Sequence, residues 1–159
     1  NYTKALEFYK QALAIGGLPE SVENIELRIA RSLQKLDQHD NAIAAYRAYL
    51  EKHKLTKWEH REATKDAKEF LVETKTSEAQ KQRDIEARFY LGEVLLAKGD
   101  PNEARRTWQD LLALHEDEKH ELLPQALYNL SATWQLPTPQ SSEDLSLGVA
   151  SLERFLKRY

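Results

Sequence analysis

Apolar and polar positions follow a helical period in four similar blocks: "YTKALEFYKQALAI", "HDNAIAAYRAYLEKH", "DPNEARRTWQDLLALH" and "SLGVASLERFLKRY". In each, a small residue is followed four positions on by a large one, then by an apolar pair three and four further. The small residues are Ala5, Ala42, Ala104 and Gly148, and the large ones Tyr9, Tyr46, Trp108 and Leu152. The pairs are Ala12 and Leu13, Tyr49 and Leu50, Leu111 and Leu112, and Phe155 and Leu156. Spacings of four, three and one put these on one face of a helix that turns ~100° per residue.

The last three blocks each follow a second amphipathic stretch: "IELRIARSLQKLDQ", "IEARFYLGEVLLAKG" and "LPQALYNLSATWQL". Each of these carries its own small residue between bulky ones, Ala30, Gly92 and Ser131. Ala30 to Ala42 is 12 residues and Gly92 to Ala104 is again 12. Small residues at facing positions let two antiparallel helices approach, and the Tyr or Trp fills the space beside them. Trp108 and Trp134 fall on these packing positions and are read as core.

This arrangement resembles a tetratricopeptide repeat array, whose units place a bulky residue, Leu and Gly/Ala in helix A and Ala, Tyr/Phe and Ala-Leu in helix B over ~34 residues. Leu91, Gly92, Leu95, Gly99, Ala104 and Trp108 carry the resemblance most fully, and Ile29, Ala30, Leu33, Ala42 and Tyr46 repeat it. Tyr49, Leu111 and Phe155 replace a usual Ala and the closing Pro is missing, which predicts looser packing between neighbouring units. "SLERFLKRY" resembles bacterial arrays of the family. The resemblance implies an all-α, right-handed superhelical solenoid of antiparallel helix pairs, with about eight helices.

The expected divisions are 1–18 (helix B of a truncated repeat), 21–54 (a repeat), 55–84 (a helical insert), 85–117 (a repeat) and 119–159 (a repeat with a loop insertion). Helix B at the start has no preceding partner, so the natural protein is expected to continue in both directions. Ala42 to Ala104 is 62 residues, about 28 beyond the ~34-residue period. The surplus lacks Pro and Gly and is rich in Lys and Glu. Ala63, Ala67, Phe70 and Leu71 fall on a face turned away from that of Ile43, Tyr46 and Leu50, so a break near 53–56 and a separate helix over 57–74 are predicted. The polar "TSEAQKQRD" then leads into the next helix A, which is expected to project beyond its neighbours. Ser131 to Gly148 is 17 residues, the excess being the Pro-rich loop and Ser/Asp helix start of "LPTPQSSED".

Composition narrows the function. The 159 residues carry a net charge of −3, without the basic footprint that nucleic acid requires. No apolar run approaches the ~20 residues of a membrane span. The absence of cysteine excludes disulfides and thiolate metal sites, and fits cytoplasm and periplasm equally. "HEDEKHE" invites a metal site, yet His115 and His120 are five apart, roughly 140° around a helix, where a zinc pair needs i and i+4. A solvated acidic turn describes that stretch better. His39, His53 and His60 are assigned to the surface. "QSSED" has no nearby His, and there is no glycine-rich phosphate loop. No catalytic residue, metal or cofactor is assigned.

The resemblance further implies that helix A residues not used by the core line a concave face. They are Asn24, Leu27, Arg28, Arg31 and Lys35 in one unit, Glu86, Phe89, Tyr90 and Glu93 in the next, and Gln125, Tyr128, Asn129 and Ala132 in the last. This face runs from basic to acidic to polar-aromatic and suits a peptide held by shape and a few ionic contacts. The alternative is that Arg28, Arg31, Glu86 and Glu93 merely solvate the surface or pair across repeats. One subfamily clamps chaperone C-terminal carboxylates with Lys and Asn in one helix A and Lys and Arg in another. That pattern is missing here. Trp58, in the insert, either packs the extra helix or contacts a partner. The function expected is a non-catalytic protein-interaction scaffold. The alternatives are self-association into a homo-oligomer and a regulatory domain of a larger enzyme or membrane-anchored protein.

Overall fold

The computed structural model describes residues 1–55, 78–115, 118–134 and 138–158, and every regular element among them is an α-helix. In chain order these are α1 (Tyr2–Ile15), α2 (Pro19–Lys35), α3 (His39–Lys52), α4 (Glu78–Lys98), α5 (Pro101–Leu114), α6 (Leu122–Ala132) and α7 (Ser142–Arg158). Seven helices are thus described where about eight were expected. The helix predicted over 57–74, and Trp58 with it, lies outside the described residues.

Two turns share one construction. After α2, the Asp37 N–H donates to the Gln34 carbonyl at 3.0 Å and the Gln38 N–H to the Leu33 carbonyl at 3.0 Å. After α4, the Gly99 N–H donates to Leu96 at 3.0 Å and the Asp100 N–H to Leu95 at 2.9 Å. Asp37 and Gly99 occupy the left-handed region with φ of 56° and 91°, as this helix-ending motif requires. Glycine suits that conformation best, and Asp is among the few other residues that tolerate it. The following helix starts at once, with Asp100 accepting the Glu103 N–H at 3.0 Å and Pro101 supplying a preset φ. Replacing Asp100 with Ala should destabilise the chain by about 1 kcal/mol, read as an earlier urea midpoint with unchanged slope.

Consecutive helices pack as antiparallel neighbours, and α2 also packs on α4 and α4 on α6, whereas α3 meets α5 through the Arg47–Glu103 ion pair at the surface. The result is two layers: an inner one of α2, α4 and α6, and an outer one of α1, α3, α5 and α7. The core between them is what the periodicity selects, with Ala30, Ala42, Tyr46, Gly92, Ala104, Trp108, Ser131 and Gly148 all buried. Trp108 lies fully buried beside Gly92 and donates its indole N–H to the Phe89 carbonyl at 3.1 Å. Tyr46 Oη donates to Gln34 Oε1 at 2.9 Å.

Tyr49 and Leu111, which replace a usual Ala, are buried. Two expectations are corrected. The N-terminal turns of α4 do not project. Arg83 there reaches Glu23 of α2 at 2.7 Å, and Lys81 reaches Glu118 at 2.6 Å. Trp134 is half-buried, not core, with the Arg105 guanidinium 3.4 Å over its ring. That guanidinium also donates to the Thr133 carbonyl at 2.7 Å.

The histidines differ most from the sequence expectation. His115, read as part of a solvated turn, is buried at the end of α5 with Nε2 2.8 Å from Asp84 Oδ2. Asp84 is itself buried and also accepts from Arg88 Nε at 2.7 Å. At the end of α3, His53 is half-buried, with Nε2 2.7 Å from Glu26 Oε2. Each histidine stands 11 residues after the small residue of its helix, Ala42 or Ala104. Each closes its helix onto a carboxylate of the helix before it. That shared offset was the signal in the sequence. Among the described residues no cluster of metal-ligating side chains occurs.

Candidate interaction cleft

On the inner layer, α2 and α4 diverge enough to leave a cleft of ≈ 340 Å³ lined by Asn24, Leu27, Arg28, Arg31, Ala79, Gln82, Arg83 and Glu86. The α2 contributors lie at i, i+3, i+4 and i+7, and those of α4 at 79, 82, 83 and 86. Each set is therefore one helical stripe, and two stripes face each other across the opening.

Its charges are held in different ways. The Arg28 Nε donates to Asn24 Oδ1 at 3.1 Å, one turn back along the same helix. Arg31 lies half-buried with its guanidinium 4.0 Å over the Tyr90 ring, a cation–π placement that fixes the side chain without neutralising it. Burial lifts the Tyr90 phenol above the usual tyrosine range against the opposing influence of Arg31. Arg83 is different because it pairs with Glu23 at 2.7 Å where both side chains are mostly buried. That pair closes the cleft floor and fastens α2 to α4. Nearby, burial tends to raise the Glu26 carboxyl, but hydrogen bonds from Lys52 and His53 outweigh it and hold the group below its ordinary range.

Of the residues expected on the concave face, the cleft brings together Asn24, Leu27, Arg28, Arg31 and Glu86. Tyr90 stands behind Arg31. Glu93 accepts a bond from Gln34 Nε2 at 3.2 Å and so belongs to the Tyr46–Gln34 contact. Phe89 is corrected: it is 2% exposed and packs edge-on against Tyr90 at 5.3 Å, so it supports the wall from behind. Lys35, Gln125, Tyr128 and Asn129 do not line the cleft. Tyr128 is exposed and meets Phe155 of α7 edge-on at 6.2 Å. Ala79, Gln82 and Arg83 fall outside the sequence reading because the repeat template begins at residue 85. Stepping back from Glu86 by three, four and seven residues would have found them.

A family model described as the tetratricopeptide repeat matches residues 26–56 and 86–117. The first match takes in most of α2 and α3 with the turn between them, and the second most of α4 with α5. These segments are tetratricopeptide repeats. Comparison with curated proteins and with solved structures gave no match. Repeats of this family generally mediate protein–protein interaction, and theirs is typically a non-catalytic scaffold. No helix among the described residues is long and apolar enough to cross a membrane.

Proposed function

We propose that this chain is a non-catalytic interaction module that takes a segment of a partner protein in the cleft between α2 and α4. The observation that supports this reading is the pair Arg28 and Arg31. Both line an open cleft, and among the described residues neither forms an ion pair. A cation already held by Asn24 or an aromatic ring loses little side-chain freedom when a ligand arrives, so preorganisation favours binding. Gln82 and Asn24 add amide groups for a peptide backbone, and Leu27 adds an apolar floor.

Selection from a random-peptide library against the 159-residue chain, followed by fluorescence anisotropy of the selected peptides, tests the reading. The double substitution Arg28→Glu and Arg31→Glu should weaken the selected peptides at least about tenfold, roughly 1.4 kcal/mol. Arg28 is exposed and Arg31 half-buried over Tyr90, so circular dichroism at the assay temperature should show the variant as folded as the native protein before the affinities are compared. Equal affinity for both proteins would move the site away from this cleft.

A further inference from the structure

Opposite charges face one another across the cleft without pairing. Arg28 and Arg31 stand on the α2 wall, and Glu86, half-buried, on the α4 wall. Where charges of these two helices come within reach they do pair, as Arg83 does with Glu23 at 2.7 Å and more distantly with Glu20 at 3.8 Å. Yet among the described residues no ion pair joins Glu86 to either arginine of the opposite wall. Register does not explain this. Arg83 meets Glu23 and Glu93 meets Gln34, so α2 and α4 run parallel, each α2 residue facing the α4 residue 59 or 60 positions ahead. Glu86 therefore stands level with Glu26 and Leu27, and Arg28 lies only ~1.5–3 Å further along the axis. What holds the charges apart is the width of the cleft.

An occupant that bridges this width meets two cations on one side and an anion on the other. The volume of ≈ 340 Å³ favours an extended chain. An α-helix with its side chains is ~10 Å across, so two turns fill roughly 800 Å³. In an extended chain successive side chains point to opposite sides, and residues two apart lie ~6.6 Å from each other on the same side. Arg28 and Arg31 are separated by a rise of ~4.5 Å, a difference that two long side chains absorb. The Arg28 Nε is taken by Asn24, which leaves its terminal nitrogens for a ligand, and Arg31 is held over Tyr90. An all-acidic segment would set a like charge against Glu86, whereas alternating signs give every charge of both walls a partner.

We infer that the cleft selects an extended partner segment in which an acidic, a basic and an acidic residue follow one another. The two carboxylates meet Arg28 and Arg31, and the cation between them meets Glu86. This rests on the reading of the cleft as the partner site and adds the charge order of what it takes.

Two short peptides test the order. Both are blocked at each end so that no terminal charge takes part, one with the core Asp-Lys-Asp and the other with its isomer Asp-Asp-Lys. Composition and net charge are equal, so a difference in affinity reports position alone. Fluorescence anisotropy at low ionic strength should show the alternating peptide at least about tenfold tighter on the native chain. Glu86→Gln, checked by circular dichroism to be folded, should bring the two isomers within about twofold of each other by weakening the alternating one. Replacing the peptide's lysine with norleucine should weaken it similarly on the native protein, a readout that needs no variant to fold. Isomers that bind the native chain equally, a preference that survives Glu86→Gln, or no binding of either peptide up to about 1 mM would overturn the charge order. If both isomers bind equally yet weaken on the Arg28→Glu, Arg31→Glu protein, the cleft reading stands without it. Binding that ignores all of these substitutions would overturn both.

Discussion

Gly92→Ala should destabilise this protein by about 1–5 kcal/mol, although it adds a single methyl group to a helix. In helix propensity alone alanine is the better residue by about 1 kcal/mol, so the sign is set by packing. A Cβ at position 92 would lie 2.9 Å from Trp108 Cδ1 and closer still to Nε1 and Cε2. Trp108 is fully buried and tied to the Phe89 carbonyl, so the indole cannot step aside without giving up that bond. Overpacking costs about 1–3 kcal/mol, and a buried donor left without a partner about 1–3 more. Urea unfolding would measure the loss. A double-mutant cycle with Trp108→Leu separates this mechanism from a general helix effect. The smaller side chain should recover about 1–3 kcal/mol in the alanine background. Strict additivity would mean that the two residues do not share the space.

The second large effect concerns the buried pair of His115 and Asp84. Burial tends to raise the Asp84 carboxyl, but hydrogen bonds from His115 and Arg88 outweigh it and hold the group below the usual aspartate range. One carboxylate oxygen, Oδ1, has no partner. His115→Ala would leave a buried carboxylate with Arg88 as its single bonded neighbour, and removing one member of such a pair costs about 3–5 kcal/mol. Because the folded pKa is depressed, the carboxylate stabilises the fold fully above its unfolded value of about 3.9. That contribution disappears as pH falls through the lower folded value. Asp84→Asn removes this proton linkage, so its stability should decline less steeply than the native protein's below about pH 4. A parallel decline in both proteins would show that Asp84 does not carry the acid sensitivity.

The positions at which these substitutions act were unequally legible in the sequence. Gly92 and Trp108 belong to a repeated pattern of small and large residues, because close helix approach demands a small side chain at one place and a large one beside it. A one-dimensional period can record that demand. Asp84 and His115 are 31 residues apart, and neither breaks the local polar pattern of its segment. Their meeting depends on how the first turns of α4 lie against the end of α5.

The cleft divides in the same way. Asn24, Arg28, Arg31 and Glu86 were found by subtracting the core face from each helix A. Phe89 was misassigned because a helix of the inner layer touches neighbours on several sides, so the angle at which core gives way to open surface is not a property of that helix alone. Ala79, Gln82 and Arg83 were lost with the assumption that a repeat begins where its template does.

The sequence by itself determined the class of element, the pairing of helices, the small-to-large contacts at Ala30, Ala42, Gly92 and Trp108, and the helix-ending turn at Gly99. All of these follow from local spacing and from side-chain size. The tertiary structure decided which charges are buried in pairs and how far α2 and α4 separate to leave room for a ligand. Those outcomes depend on distances between helices, which are set by the summed packing of many side chains and are written in no single stretch of the chain.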